Sequence, residues 1–185
     1  MTNLAMTTTT IRDWQIDATH STFEWAIRHM LVSTVKGAFA GVSGQIHYDP
    51  QDVAASAVRA EVQLASVDSH DADRDEHLRG EGIFNVEQYP TATFVSTRVE
   101  PLENAGHFRV VGDLALHGVT QEVAFETTWE GVVEQPNGIL RAAFTARTTI
   151  LRTEFGFAAG RELPIGGLTT SDEVALTMYT TCQPA

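Results

Sequence analysis

Lysine is almost missing from this chain: Lys36 stands alone, and acidic residues outnumber lysine plus arginine 24 to 12, for a formal net charge of −12. Nucleic acid and anionic membrane surfaces repel such a protein, so neither is expected as its main partner. Cysteine is as scarce. Cys182 has no second thiol to pair with, so folding does not depend on an oxidising compartment. No stretch approaches the ~20 consecutive apolar residues of a membrane span, so the protein is not expected to be integral to a membrane. Residues 1–13 lack the basic start and apolar run of a secretory signal, which leads us to expect a cytoplasmic protein. A mature form whose signal had been removed would read the same and be periplasmic or secreted. These residues are rich in threonine and read as a disordered segment ahead of a single domain, 14–182.

The signatures of common catalytic sites are missing as well. Seven histidines could in principle supply a metal, yet there is no His-x-His, His-Glu-x-x-His or paired-Cys spacing. The glycines from Gly156 to Gly167 lack the Gly-Lys-Ser/Thr ending of a phosphate loop. Ser21 beside His20 is no nucleophile pair, since neighbours in a strand point to opposite faces. No catalytic residue, metal ligand or cofactor is assigned.

What is present is alternation. With 43% hydrophobic and 19% charged residues, the chain has the composition of a globular domain, long enough to bury a core. Phe23, Trp25 and Ile27 share one face of a strand, with Glu24 and Arg28 opposite; His29 falls on the apolar face, as a hydrogen-bonded core histidine. Val35 to Tyr48 reads as a second strand carrying Gly37, Gly41 and Gly44, and Val58 to Leu64 as a third. After Pro90 come strands through Ala92 and Phe94, Phe108 to Leu116, Val123 to Trp129, Leu140 to Ile150 and Val174 to Met178. Gly-rich residues 155–170 read as loop. About eight antiparallel strands with tight turns suggest a sandwich or a closed barrel, and their length, roughly ten to fourteen residues against a mode of ~5–6, favours the barrel.

Only residues 71–89 break the period of two. Asp71 can cap a helix, Asp73 and Asp75 place negative charge in its first turn, Arg79 sits in its last turn, and Gly80 can end it in a left-handed conformation. About two turns of helix do not persist alone, so Leu78, Ile83 and Phe84 are its expected anchors.

Arg74-Asp75-Glu76-His77-Leu78-Arg79, Phe84 and Tyr89-Pro90-Thr91-Ala92-Thr93-Phe94 resemble the signature of the YceI-like, or polyisoprenoid-binding, family. Trp14 to Ser21, Gly37-Ala38-Phe39, Ser66-Val67-Asp68, Gly112 to Thr120 and Arg152 to Gly156 continue it, so the resemblance runs from Trp14 to about Thr181. It implies an all-β fold: an elongated eight-stranded antiparallel lipocalin-like barrel with the charged block as a short helical insertion. It also implies binding, storage or transport of a long-chain amphiphilic lipid, such as a polyisoprenoid or an isoprenoid quinone, inside the barrel. Many members of this family carry a signal, which this chain does not show.

An eight-stranded barrel is either filled by its own side chains or holds one small ligand. The candidate lining is Phe23, Trp25, Phe94, Phe108, Leu114, Phe125, Trp129 and Phe144, with small residues Ala142 and Ala146 between them. Alternation shows a buried face and not an empty one, so a filled core remains open on the residues alone. Arg74 and Asp75 read as ties between the helix and the barrel end. The sharper alternative has Arg74, His77 and Arg152 receiving a polar or diphosphate headgroup, since guanidinium binds phosphate bidentately. Two rival functions stay open: a metal-dependent or other small-molecule enzyme, and a stress or interaction protein acting through its outer surface. A homodimer through an exposed strand face is compatible with the pattern.

Overall fold

The computed structural model describes residues 12–185. The first seven strands are β1 (Asp13–Ile16), β2 (Thr22–His29), β3 (Ser33–Phe39), β4 (Val42–His47), β5 (Ala57–Gln63), β6 (Val67–Asp68) and β7 (Thr91–Pro101). Then follow β8 (His107–Leu116), β9 (Val119–Glu134), β10 (Leu140–Leu151) and β11 (Thr170–Pro184). Pairing runs β1–β4–β5–β7–β8–β9–β10–β11 and returns from β11 to β1, which closes an eight-stranded antiparallel barrel. The expected all-β barrel with one short helix is what the chain forms. The disorder expected of residues 1–13 falls, for 1–11, outside the described residues. Arg12 is ion-paired to Asp49 at 2.7 Å, and Asp13 already belongs to β1.

The long strands expected throughout occur only in the second half, where β7 to β11 run from 10 to 16 residues. In the first half the chain breaks. The single strand expected from Val35 to Tyr48 is two, β3 and β4, separated at Ala40-Gly41. There the Gly41 N–H donates to Ser66 Oγ at 2.9 Å, and the chain turns a barrel corner. A 3-10 turn at Ala18–His20 likewise separates β1 from β2. The lower segments β1 and β4 complete the ring. The upper segments β2 and β3, continued by β6, raise the wall beyond it and end where the charged block begins.

That block is helical over Ala72–Arg79, capped as the sequence predicts by Asp71, whose carboxylate accepts from the Arg74 N–H at 3.0 Å. Gly80 does not take the left-handed form; its backbone is extended (φ −64°, ψ 168°). The chain folds back instead, and the last helical carbonyls are satisfied by Phe84 N–H on Leu78 and Val86 N–H on Arg79. Arg79 fastens the helix to the wall by donating to the carbonyls of Ala65 and Val67 at 2.8 and 2.7 Å. Leu78 and Phe84 pack on the core, as expected of anchors.

At the opposite end aromatic rings seal the barrel. Tyr48 lies 4.8 Å from Trp129 between ring centroids, Trp129 lies 4.7 Å from Phe144, and Trp14, 1% exposed, closes the stack beneath them. Edge-to-face and offset pairs of this kind add to the area they bury. The barrel is therefore shut at the end where β1 begins and β11 ends and roofed by the helix at the other.

Candidate functional site

The inward faces enclose two stacked cavities. The lower one, about 100 Å³, is bordered by Phe94, Phe108, Phe125, Phe144 and Ala146. The upper one, about 430 Å³, is walled by Trp25 and Leu116, roofed by Leu78, Ile83 and Phe84, and reached by Arg74, His77 and Arg152. Phe23, Ala92 and Leu114 border both, so the two share one axis. The wide end lies under the helix and the narrow end above the aromatic seal.

Eight of the ten lining residues named from sequence border this space. Trp129 and Ala142 do not: Trp129 is spent in the seal, and Ala142, 1% exposed, sits beside it in register with Val132 and Cys182. Alternation placed both on the inner face and could not tell how far up the barrel the open space begins. Tyr48, Met178 and Phe157 were missed. Tyr48 and Met178 continue the inward parity of Ile46 and Leu176, whereas Phe157 lies in a loop with no period to reveal it.

Trp25 shows how closely the wall is fitted. Its indole lies flat over Gly37, where a Cβ would collide with the ring, so glycine at that position is a packing requirement. His29, expected in the core, is exposed at the mouth of the upper cavity. Strand β2 ends there, and the apolar face has run out of barrel to cover it. His117 stands in a two-residue hairpin with Gly118 (φ 53° and 76°), a mirror-image turn that suits the twist of β8 and β9. Its ring stacks on Phe157 at 4.8 Å and meets Tyr89 edge-on at 4.9 Å, which ties the loop after β10 to the helical block.

The polar groups of the roof are mostly engaged with one another. Arg74 donates from Nε to Ser69 Oγ at 2.8 Å and from Nη2 to the Ser69 carbonyl at 2.7 Å. Asp75 accepts from the Ser69 N–H and hydroxyl, and those bonds hold its carboxyl below the usual range. This is the anchoring role read for Arg74 and Asp75. Arg152 donates from Nη2 to the Ala158 carbonyl, while its buried Nε has no partner. Arg74, His77 and Arg152, drawn from two distant stretches of sequence, thus meet around one cavity, and among the described residues neither the His77 imidazole nor the Arg152 Nε has a hydrogen-bond partner. Among the described residues the cavity wall carries no Asp or Glu. Among the described residues no three His, Cys, Asp or Glu side chains converge as a metal-ligand set.

Comparison with known proteins agrees with this architecture. The YceI-like domain matches residues 14–182. A UPF0312 protein of Vibrio cholerae is 36% identical over 146 residues, covering 78% of this chain and 77% of its own. One from Yersinia pestis is 37% identical over 145 residues, covering 77% and 74%. Among solved structures, a Campylobacter jejuni YCEI protein is similar with a TM-score of 0.71 at 26% identity, over 86% of this chain and 90% of that one. The fold is also that of Burkholderia cenocepacia BcnA, with a TM-score of 0.76 at 24% identity over 90% and 98%. It is shared by a polyisoprenoid binding domain from Saccharophagus degradans, with a TM-score of 0.69 at 18% identity over 95% and 100%. A barrel of this topology, roofed by this charged block and matched along its length, makes the chain a member of the YceI-like family.

Proposed function

We propose that the barrel binds one long-chain amphiphilic lipid, a polyisoprenoid, an isoprenoid quinone or a similar molecule, and stores or carries it. The observation that bears most weight is the stacked pair of cavities, narrow and lined by aromatic and aliphatic side chains below, wider and reached by cationic groups above. A tail fits the narrow end, and a head bulkier than its tail fits the wide one. Burial of apolar tail surface supplies the affinity at roughly 25 cal/mol per Å². The Saccharophagus degradans domain, whose name records polyisoprenoid binding, has the same fold and supports the reading. The head end is supplied by His77 and Arg152, with Arg74 holding the roof in place. No helix among the described residues is long and apolar enough to cross a membrane.

The test is organic extraction of gently purified protein followed by mass spectrometry, paired with thermal unfolding in the presence of added polyprenyl and quinone lipids. A ligand at 100 times its dissociation constant stabilises the fold by ~2.7 kcal/mol. No extracted lipid together with no shift for any added one would refute the proposal.

A further inference from the structure

Exposed apolar side chains gather beside the mouth of the upper cavity. The turn joining β2 to β3 carries Met30, Leu31 and Val32, and Val32 is 82% exposed. Beside it the turn held by the Gly166 N–H on the Leu163 carbonyl presents Ile165, 86% exposed. Leu31 packs on Gly167, and Leu31, Leu151 and Leu168 border one surface groove, so the two tips form a continuous patch.

The patch is built and not frayed. Met30 and Leu31 both hold left-handed backbone (φ 50° and 63°), which side chains of their kind rarely adopt. Arg28 keeps the turn in that shape, donating to the Leu31 carbonyl at 2.7 Å and to Thr34 Oγ1 at 3.0 Å. The Met30 N–H bonds to the Thr169 carbonyl at 2.8 Å, which joins one tip to the other. Strained backbone maintained by its surroundings points to function. On either side of the patch, His29 and Thr170 are wall residues of the upper cavity.

We infer that these two tips are a membrane-docking surface, inserted into the interface of a lipid bilayer when cargo is loaded or released. The inference rests on the lipid-binding reading of the cavity. Val32 and Ile165 project singly from convex turns. A stable protein partner needs a flat, complementary area of about 800 Å² on each side, whereas a fluid bilayer needs no complementarity. With a net charge of −12 and Asp172 and Glu173 at the edge of the patch, apolar insertion drives docking and anionic headgroups do not. The mouth then opens against the bilayer, and a lipid passes between membrane and barrel without crossing water.

The experiment is flotation of the full-length chain with phosphatidylcholine vesicles, with and without a fifth of phosphatidylglycerol, comparing wild type with Val32→Asp, Ile165→Asp and the double variant. Lipid uptake from cyclodextrin and thermal midpoints are measured in parallel. The wild type is expected to float with either vesicle, no better with the anionic one. Each substitution should lower partitioning about tenfold, while thermal midpoint and cyclodextrin uptake stay unchanged. A wild type that does not float, or a double variant that floats as well as wild type, overturns the inference. So does self-association of the wild type that the double variant abolishes without any flotation, which would make the patch a contact between copies. Intact flotation with no uptake from cyclodextrin would overturn the cavity reading and leave the tips as a membrane anchor.

Discussion

Ala142 and Ala146 lie four residues apart on one face of β10, and the structure gives them opposite responses to the same substitution. Ala146 borders the lower cavity, between Thr127 and Met178 in register. Ala142 is 1% exposed beside the aromatic seal. Phenylalanine adds a ring in either place, and a cavity of ~150 Å³ is known to hold benzene. The lower cavity, about 100 Å³ and continuous with the larger space above, takes most of such a ring. For Ala146→Phe, burial of the ring contributes ~1.5–3 kcal/mol and overpacking costs ~1–3 kcal/mol, so the two largely offset and any loss of stability in the lipid-free protein should stay below about 1.5 kcal/mol. For Ala142→Phe the ring has no space to enter, and the ~1–3 kcal/mol loss stands without offset. Urea unfolding of delipidated protein reads the difference: with a slope near ~2 kcal/mol/M, a 2 kcal/mol loss moves the midpoint by about 1 M. Ala146→Phe should also abolish the stabilisation that added lipid gives the wild type. Equal destabilisation by the two substitutions would show that the lower cavity is not usable space. Full lipid affinity in Ala146→Phe would show that the ligand never reaches it.

Three further outcomes follow from the roof and the sealed end. Arg74→Ala removes two hydrogen bonds to Ser69 and should lower stability by ~1–3 kcal/mol, weakening a neutral quinone and a diphosphate lipid alike; a loss confined to the anionic ligand would mean that Arg74 holds the head. Asp17 accepts from His20 and pairs with Arg141 at 2.9 Å, and the His20 bond above all holds its pKa down at about 2. Because its folded value lies below its unfolded one, its contribution is complete above about pH 4 and is lost as pH falls towards 2. Asp17→Asn should therefore flatten the acid limb of a stability profile between those values, and an unchanged limb would refute this. Cys182 is fully buried, and burial first, with Asp17 second, pushes its thiol up to about 12. It should resist Ellman's reagent at pH 8 until urea unfolds the barrel, and reaction at the rate of a free thiol in the folded state would refute that.

The barrel was legible because its main signal is local. A period of two over ten or more residues in β8, β9 and β10 fixes which side chains face inward, whatever they meet there. The breaks in the first half were less so, since Gly41 marks a bend only once Ser66 is close enough to accept its N–H. The head end is the least legible part. Arg74 and Arg152 are 78 positions apart, and what brings them to one cavity is the return of β11 to β2, a pairing written in no short stretch.

The division between seal and cavity falls beside a bulge in β9. Along β10, Ala143 pairs with Gly131 and Phe144 with Trp129, so Glu130 is an extra residue that β9 accommodates as a bulge. Below it the inward parity of β9 passes from odd to even, and Val132 is the residue that reaches the interior. Trp129 and Val132 are therefore three positions apart in β9, yet they face Phe144 and Ala142, which are two apart in β10. Trp129, next to the bulge, meets both Tyr48 and Phe144. In sequence Ala142 and Ala146 are equivalent small residues on one face. Below Phe144, beside the bulge, Ala142 packs against the seal; above it Ala146 faces open space.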